Sequence, residues 1–243
     1  MSVKVCVVGD VMLDVLVVTK APLSPDDDTP AAGQVIDGQL KARGIHLYAE
    51  PRDTHCGAAV SLVTSGKRTL ASDPGDLSWV DERLGDTSWL DGTDWLHLSG
   101  YLLLRVPDPA VVIRAARAAR KLGVQVAVDM ASAAMIETYG GQPFRALVDE
   151  LDPTVVFGNE GEWEVVGGLP SESSIGAVVK RGAQGSTLVV DGVQRSLAVV
   201  PGSVVDVTGA GDALAAGYFV GGPQMAMAAA ARCVSQSGAQ PPC

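Results

Sequence analysis

The sequence has few basic residues, few aromatic residues and no long apolar run. Its 18 Lys and Arg residues stand against 28 Asp and Glu residues, so the formal net charge is -10. A chain without a basic block attracts phosphate backbones weakly, which disfavours nucleic acid as a partner. Asp10 and Asp14 interrupt the longest early apolar stretch, and no segment reaches the roughly 20 residues that a membrane span needs. The sequence therefore predicts neither a nucleic-acid-binding protein nor a membrane protein.

Cysteine is also scarce, and its spacing matches no metal or redox motif. The four cysteines form no CxxC pair and stand at positions 6, 56, 233 and 243. The first residues lead directly into a β-branched run, with no leucine-rich segment and no small-residue cleavage site. We therefore predict structural or free thiols, no secretory signal and a cytoplasmic protein.

The sequence does contain regular alternation of strand and helix signals after residue 75. Hydrophobic residues make up 47% of the 243 residues, a balance typical of a folded domain. The predicted strands lie at 95–98, 124–128, 154–157, 177–180, 187–190 and 196–200. Helices are predicted at 77–84, 109–122, 144–151 and 160–166, with a final pair of Ala/Gly-rich helices from about 210 to 235. This order predicts an α/β fold with a parallel sheet and right-handed crossovers.

The residues before 75 carry a different pattern, which predicts a small β appendage. Strands are predicted at 3–8, 15–19 and 45–49, and a short helix at 34–43 is ended by Gly44. Two β-rich runs at 58–64 and 68–72 are joined by Ser65-Gly66-Lys67, which is a hairpin signal.

The most informative motif is the run Thr208-Gly209-Ala210-Gly211-Asp212. Small residues at the mouth of a helix leave backbone N–H groups open to an anion, and the helix dipole adds attraction. A close contact between helix and strand explains the glycines equally well. The run lacks both the Lys-Ser/Thr of a Walker loop and the third glycine of a dinucleotide fingerprint. Asp212 favours a phosphate site, because it can accept the proton of a hydroxyl that attacks a phosphoryl group.

Other polar residues follow predicted strands, and each has a structural alternative. Asp10 and Asp14 follow the first strand, where they suit either substrate hydroxyls or plain turn chemistry. Asn159 and Glu162 lie three apart on one face of a helix. That spacing suits a Mg²⁺ ion, a helix cap, or both together.

Gly182 and Gly185 flank a turn between two predicted strands. Small residues there let an adenosine or its phosphates approach the backbone, but a hairpin turn alone explains them almost as well. His97 alternates within a predicted strand, which favours a core histidine over a metal ligand.

Together these motifs resemble the PfkB family of carbohydrate kinases, which have a ribokinase-like fold. The resemblance rests mainly on residues 208–212 and on the Asn159-x-x-Glu162 pattern, with residues 9–14, 96–101 and 180–185 matching in the same order. It implies an ATP-dependent kinase, with Mg²⁺ as cofactor, that phosphorylates a hydroxyl of a sugar or nucleoside. The implied fold is α/β, with a ribokinase-like parallel-sheet core, flanking helices and a small β lid. One domain over 1–243 is expected, with lid elements near 15–30 and 54–72.

The resemblance also implies roles for individual residues. Asp212 is the implied catalytic base, and the implied anion hole consists of Gly209, Ala210 and Gly211. The implied ATP-binding residues are Lys180, Gly182, Gly185, Thr208 and Asn159. The implied substrate-binding residues are Asp10 and Asp14, and the implied metal-binding residues are Asn159 and Glu162. A homodimer formed through the lid is a further expectation.

One segment of the family pattern is missing from this chain. The family carries a Gly-Gly-x-x-x-Asn segment that contacts the sugar. In this chain residues 29–34 directly connect the part that resembles the sequence before this segment to the part that resembles the sequence after it. The missing βαβ unit takes roughly 30 residues. An inactive or weakly active nucleotide-binding relative is therefore the alternative function, whereas Asp212 favours an enzyme. A pyridoxal or hydroxymethylpyrimidine kinase of the same fold is a minor alternative.

Overall fold

The computed structural model of the protein describes residues 2–8, 13–16, 38–46, 58–64, 67–73, 80, 84–170 and 175–239. For 13–16, 58–64 and 67–73 it describes the backbone. The chain divides into two compact units. The larger one combines Met1–Gly9 with Asp81–Cys243, and the smaller one is Asp10–Val80.

The described strands are β1 (Val5–Val8), β2 (Leu13–Leu16), β3 (Ala58–Thr64), β4 (Lys67–Asp73), β5 (Trp95–Ser99), β6 (Gln125–Asp129), β7 (Val155–Asn159), β8 (Gly176–Lys180), β9 (Ser186–Val190) and β10 (Val193–Leu197). The helices of the larger unit are α1 (Gly100–Arg105), α2 (Ala110–Lys121), α3 (Ala133–Tyr139), α4 (Gly141–Glu150), α5 (Glu160–Val165) and α6 (Ala210–Val234).

The larger unit contains a seven-stranded sheet in the order β1-β5-β6-β7-β8-β9-β10. The first five of these strands run parallel, whereas β8–β9 and β9–β10 pair antiparallel. The prediction of a parallel sheet is therefore correct for most of the sheet and wrong at its last two strand pairings, because β9 runs in the opposite direction. The cause is the short connections, because a parallel crossover needs a dozen or more residues. Only residues 181–185 join β8 to β9, and only Asp191-Gly192 joins β9 to β10.

Helices cover both faces of this sheet, and the alternating side chains of β7 illustrate the arrangement. Val155 and Phe157 pack with residues of α6 in one core cluster. Val156 lies on the other face, beside Phe144 of α4 and Trp163 of α5. Because a parallel sheet is covered on both sides, its central strands are apolar on both faces. This layering leaves the ends of the strands as the positions where polar residues can gather.

The last helix, α6, is divided by a kink at Gly221 and Gly222, with Pro223 just beyond it. The prediction of two Ala/Gly-rich helices in this region is therefore confirmed. The first half packs Phe219 against the β5 side chains Trp95 and His97, with ring centroids 4.9 Å and 5.4 Å apart. This packing holds the first half of α6 against β5.

The smaller unit contains a three-stranded sheet in the order β2-β3-β4. The predicted hairpin is confirmed, since β3 and β4 pair antiparallel and Thr64 lies opposite Lys67. A short helix is present at 38–42 and is followed by Gly44 at φ 70°. The strand predicted at 45–49 is wrong at Ile45 and His46, which belong to no strand, while 47–49 lie outside the described residues.

Most predicted elements of the larger unit are present within a few residues of their expected bounds. In the predicted helix at 77–84, Val80 and Leu84 are helical and the intervening residues lie outside the described set. The helices α1 and α3 were not predicted. Of the helices in the described part of the chain, none combines the length and hydropathy needed to cross a bilayer.

Candidate active site

Polar side chains gather where four neighbouring parallel strands end. Ser99 ends β5, Asp129 ends β6, Asn159 ends β7 and Lys180 ends β8. In the strand register Ser99 lies opposite Asp129, and Asn159 lies opposite Lys180. In open α/β sheets, ligands bind outside this edge. The structure thus brings two of the predicted site residues, Asn159 and Lys180, to one edge of the sheet.

Lys180 and Asp129 form an ion pair at this edge. The Lys180 Nζ atom lies 2.8 Å from Asp129 Oδ2 and 3.0 Å from Asp129 Oδ1. The two side chains are 21% and 15% exposed, so water screens them only in part. Burial alone lowers the pKa of Lys180, but the carboxylates of Asp129 and Glu162 outweigh it and raise that pKa above its ordinary value. The lysine is therefore held as an ammonium ion.

Asn159 and Glu162 form a capping box at the start of α5. The Asn159 side-chain oxygen accepts from the Glu162 N–H at 2.9 Å. The Glu162 carboxylate in turn accepts from the Asn159 backbone N–H at 2.8 Å and from its side-chain amide at 2.7 Å. Burial raises the pKa of Glu162, which is only 2% exposed. The cap that the sequence pattern allowed is present, and the metal role stays a prediction.

The run 208–212 forms the entry into α6, as the sequence predicts. Gly209 is the residue before the first helical position and has φ 75°, in the left-handed region that glycine adopts without steric cost. The first N–H groups of a helix have no intrahelical acceptor. The Ala210 N–H donates to the Val207 carbonyl at 3.2 Å, so an anion bound there has to compete with this contact. Asp212 lies exposed in the first turn of the helix.

The ammonium of Lys180 lies directly against this first turn. A Cβ atom placed on Gly211 would be 3.6 Å from Lys180 Nζ, which is ordinary van der Waals contact. Asp212 also contributes to the raised pKa of Lys180, so the two charges interact. The first turn of α6 therefore combines a helix N-terminus, an ammonium ion and an exposed carboxylate in one place.

Asp206 fixes the loop that leads into α6, although the sequence analysis did not select it. Its carboxylate accepts from the Thr208 N–H at 2.9 Å, from the Thr208 hydroxyl at 2.6 Å and from the Gly238 N–H at 2.9 Å. The hydroxyl of Thr208, an implied ATP-binding residue, is thus engaged within the loop. An Asp two residues before a Thr is a common turn pattern, and that spacing could have identified it.

Gly182 and Gly185 lie at the short turn between β8 and β9. Gly182–Gln184 form a single 3₁₀ turn. A Cβ on Gly185 would overlap the Leu197 carbonyl oxygen, whereas a Cβ on Gly182 would meet nothing within 4 Å. Close backbone packing against β10 therefore explains Gly185, and the contact of both glycines with ATP stays a prediction.

The two predicted substrate residues belong to the smaller unit. Asp10 lies outside the described residues. Asp14 lies in β2, opposite Ala59 of β3, and only its backbone is described. Among the described side chains, no group of three or more His, Cys, Asp or Glu residues is arranged to hold a metal ion.

Comparison with known proteins identifies what this arrangement resembles. A family model described as pfkB family carbohydrate kinase matches residues 28–242. Adenosine kinase from Sinorhizobium meliloti superposes with a TM-score of 0.75 at 23% identity, covering 86% of this chain and 70% of that one. A putative ribokinase II from E. coli, in complex with ATP and Mg²⁺, superposes with a TM-score of 0.77 at 17% identity, covering 98% and 94%. At these identities the solved structures establish the fold, and the predicted α/β ribokinase-like core is confirmed.

Proposed function

The chain belongs to the pfkB family of carbohydrate kinases, and from that premise we propose that it transfers the γ-phosphate of ATP to a hydroxyl of a sugar or nucleoside. This match confirms the family resemblance seen in the sequence. It also confirms the assignment to the kinases, and ATP is the phosphate donor of this family. The inactive relative considered as an alternative has no support in these comparisons. The observation that carries the proposal is the placement of the Lys180 ammonium against Gly211, at the first turn of α6.

The first turn of α6 supplies the anion hole of the proposed reaction. The amides of Gly209, Ala210 and Gly211 lie at a helix N-terminus, where the dipole favours negative charge by about 0.3–1 kcal/mol. The ammonium of Lys180 adds a full positive charge on the same side. A loose phosphoryl-transfer transition state spreads charge over the equatorial oxygens, so amides and ammonium together stabilise it.

Asp212 acts as the general base of the proposed reaction. The acceptor oxygen attacks the γ-phosphorus, its proton passes to the Asp212 carboxylate, and the bond between the γ-phosphorus and the bridging oxygen breaks to release ADP. A carboxylate in the first turn of a helix is also favoured by the helix dipole, so its position fits a structural role as well. Its exposure leaves the carboxylate accessible to a substrate hydroxyl.

Asn159 and Glu162 are the residues proposed to hold Mg²⁺. Their oxygen donors fit this hard cation, which keeps several water ligands and binds few protein groups directly. Both Glu162 oxygens accept a hydrogen bond from Asn159, yet each retains a further lone pair for a metal-bound water. Bound Mg²⁺ would neutralise part of the negative charge of the ATP phosphates.

The remaining assignments belong to the same proposal. Thr208, Gly182 and Gly185 would contact ATP, and Asp10 and Asp14 the sugar or nucleoside. The chain would form one kinase domain whose elements near 15–30 and 54–72 act as a lid and as the contact of a homodimer. A cytoplasmic location would supply the ATP that the reaction consumes.

An assay of ADP release tests this function. The full chain is incubated with Mg-ATP and a panel of sugars and nucleosides, and ADP formation is coupled to NADH oxidation. Turnover that requires one acceptor and is lost in Asp212→Asn supports the proposal. ATP binding without turnover on any member of a broad panel would contradict it.

A further inference from the structure

Among the described residues, Asp129 is the charged group that lies at hydrogen-bond distance from Lys180, and the proposed reaction assigns it no function. It ends β6, between the strand that carries Ser99 and the strand that carries Asn159. Both of its carboxylate oxygens contact Lys180 Nζ. Its position at the last residue of a buried strand matches that of Ser99, Asn159 and Lys180.

The orientation of the Asp129 carboxylate is itself fixed by the backbone that follows. Its Oδ1 atom accepts from the Ala131 N–H at 3.1 Å. Ala131 adopts φ 71°, an uncommon conformation for a residue with a side chain, and the chain then enters α3 at its cap residue Ser132. The Ala131 N–H therefore restrains the orientation of the carboxylate that contacts the lysine.

The contact with Asp129 matters because the Lys180 ammonium has other carboxylates near it. Glu162 and Asp212 also interact with the ammonium. A lysine side chain has four rotatable carbons and is a compact charge without a preferred geometry. The bidentate contact with Asp129 selects the position against Gly211, at the anion hole.

We propose that Asp129 is a positioning residue, which holds the Lys180 ammonium at the first turn of α6 so that it meets the phosphate groups of ATP. This inference rests on the proposed use of that turn as a phosphate site. Asp129 offers two acceptor oxygens to an ammonium that has three donors, so a further N–H stays available to a phosphate oxygen. Asp129 itself acts only through the lysine, since a carboxylate repels phosphate.

A double-mutant cycle on ATP affinity tests this inference. Asp129→Asn, Lys180→Met and the double variant are compared with the wild type by calorimetric titration with Mg-ATP, which needs no acceptor. In Asp129→Asn we expect ATP affinity to fall about tenfold, the equivalent of one charge-assisted hydrogen bond. In the Lys180→Met background the same substitution should raise ATP affinity, because it removes an unpaired carboxylate beside the phosphate site. Opposite signs in the two backgrounds would not arise from a purely structural ion pair.

The controls separate this inference from stability and from the proposed function. Asp149→Asn removes the carboxylate of the Arg145–Asp149 ion pair on α4 (N···O 3.0 Å) and should leave ATP affinity unchanged. Melting temperatures of all variants show whether each chain is folded, and removal of both partners in the double variant leaves no unpaired charge. Unchanged ATP affinity in folded Asp129→Asn, or additive effects in the cycle, would overturn the inference. Wild type that binds ATP as expected yet phosphorylates nothing would contradict the proposed function alone.

Discussion

Glu162 directs both carboxylate oxygens at Asn159, the residue that caps its own helix. The distances are 2.8 Å to the backbone N–H and 2.7 Å to the side-chain amide. Because Asn159 is also the last residue of β7, this contact joins the end of a central strand to the start of α5. The pair therefore has a structural role, whether or not it also binds a metal ion.

Replacement of Glu162 by Gln should lower stability. The amide loses one of two acceptors and presents N–H groups to the donors of Asn159. Loss of a cap costs about 0.5–2 kcal/mol, so we expect a lower melting temperature in a thermal scan. Glu160→Gln, in the same first turn but exposed, is the matched control and should melt close to wild type.

The same variant tests the metal assignment. If the pair holds Mg²⁺, the Mg²⁺ concentration for half-maximal rate rises in Glu162→Gln and stays unchanged in Glu160→Gln. A loss of stability without any change in the Mg²⁺ requirement would show that Asn159 and Glu162 serve only as a helix cap and do not hold the metal.

The sequence was sufficient to predict the order of the main strands and helices, because buried strands and capped helices leave strong local signals. The motif 208–212 and the helix start at Asn159 were predicted for the same reason. The antiparallel end of the sheet was missed, although Asp191-Gly192 is a strong two-residue hairpin signal. Both residues have positive φ, 49° and 73°, as a type I′ turn requires.

The ion pair between Asp129 and Lys180 could not be predicted, because the two residues lie 51 positions apart in the sequence. Local patterns identify caps and turns, but an ion pair between two strand ends depends on the strand order. Since β6 and β8 are separated by β7, only the assembled sheet brings these side chains together.

Replacement of Asp212 by Asn should abolish phosphoryl transfer and spare ATP binding. The change removes the proposed base and leaves the backbone amides of the helix start in place. Loss of a general base costs about 10²–10⁴ in rate, measured as kcat in the ADP-release assay. Turnover of the variant at the wild-type rate would exclude Asp212 as the base.

Gly211→Ala should separate activity from stability at the anion hole. The added methyl has room, since its nearest neighbour would be Lys180 Nζ at 3.6 Å. Alanine in a helix is up to about 1 kcal/mol more stable than glycine, so the melting temperature should stay or rise. The methyl nevertheless lies beside the ammonium in the proposed path of the phosphate, and we expect a higher KM for ATP. Wild-type kinetics in this variant would argue against phosphate binding at this turn.

His97 should make the protein sensitive to mild acid. Its Nδ1 atom is buried and has no hydrogen-bond partner among the described residues. Burial lowers the pKa of His97 below its ordinary value of 6.5, an effect that Lys180 reinforces and Asp129 opposes. Below pH 6.5 the unfolded chain therefore binds a proton at His97 that the folded chain does not bind. The stability that neutral His97 contributes above pH 6.5 is lost as the pH falls through the pKa of His97 in the folded chain.

The test is the melting temperature between pH 7 and pH 5. The melting temperature of the wild type should fall over this range. In His97→Gln it should fall less, because the variant has no imidazole at this position to protonate. His46→Gln, at an exposed position, should keep the wild-type slope. Equal slopes in wild type and His97→Gln would assign the decline to other groups.

Val7 lies on β1, which is an edge strand in the part of the sheet that the structure describes, and it should promote association between copies of the chain. In the described part of the sheet, β1 has β5 as its single neighbour, and Val7 is 67% exposed. An exposed apolar edge strand is a template for pairing with other chains.

Val7→Lys should therefore reduce aggregation without changing the fold. A substitution at an exposed position shifts stability by less than about 0.5 kcal/mol, so the melting temperature should stay near wild type. Light scattering on heating should begin at a higher temperature, because a charged edge pairs poorly. Val5→Lys is the matched control, since Val5 lies on the same face but packs against the core cluster, and it should lower the melting temperature. Scattering that is unchanged in Val7→Lys would show that this edge does not drive association.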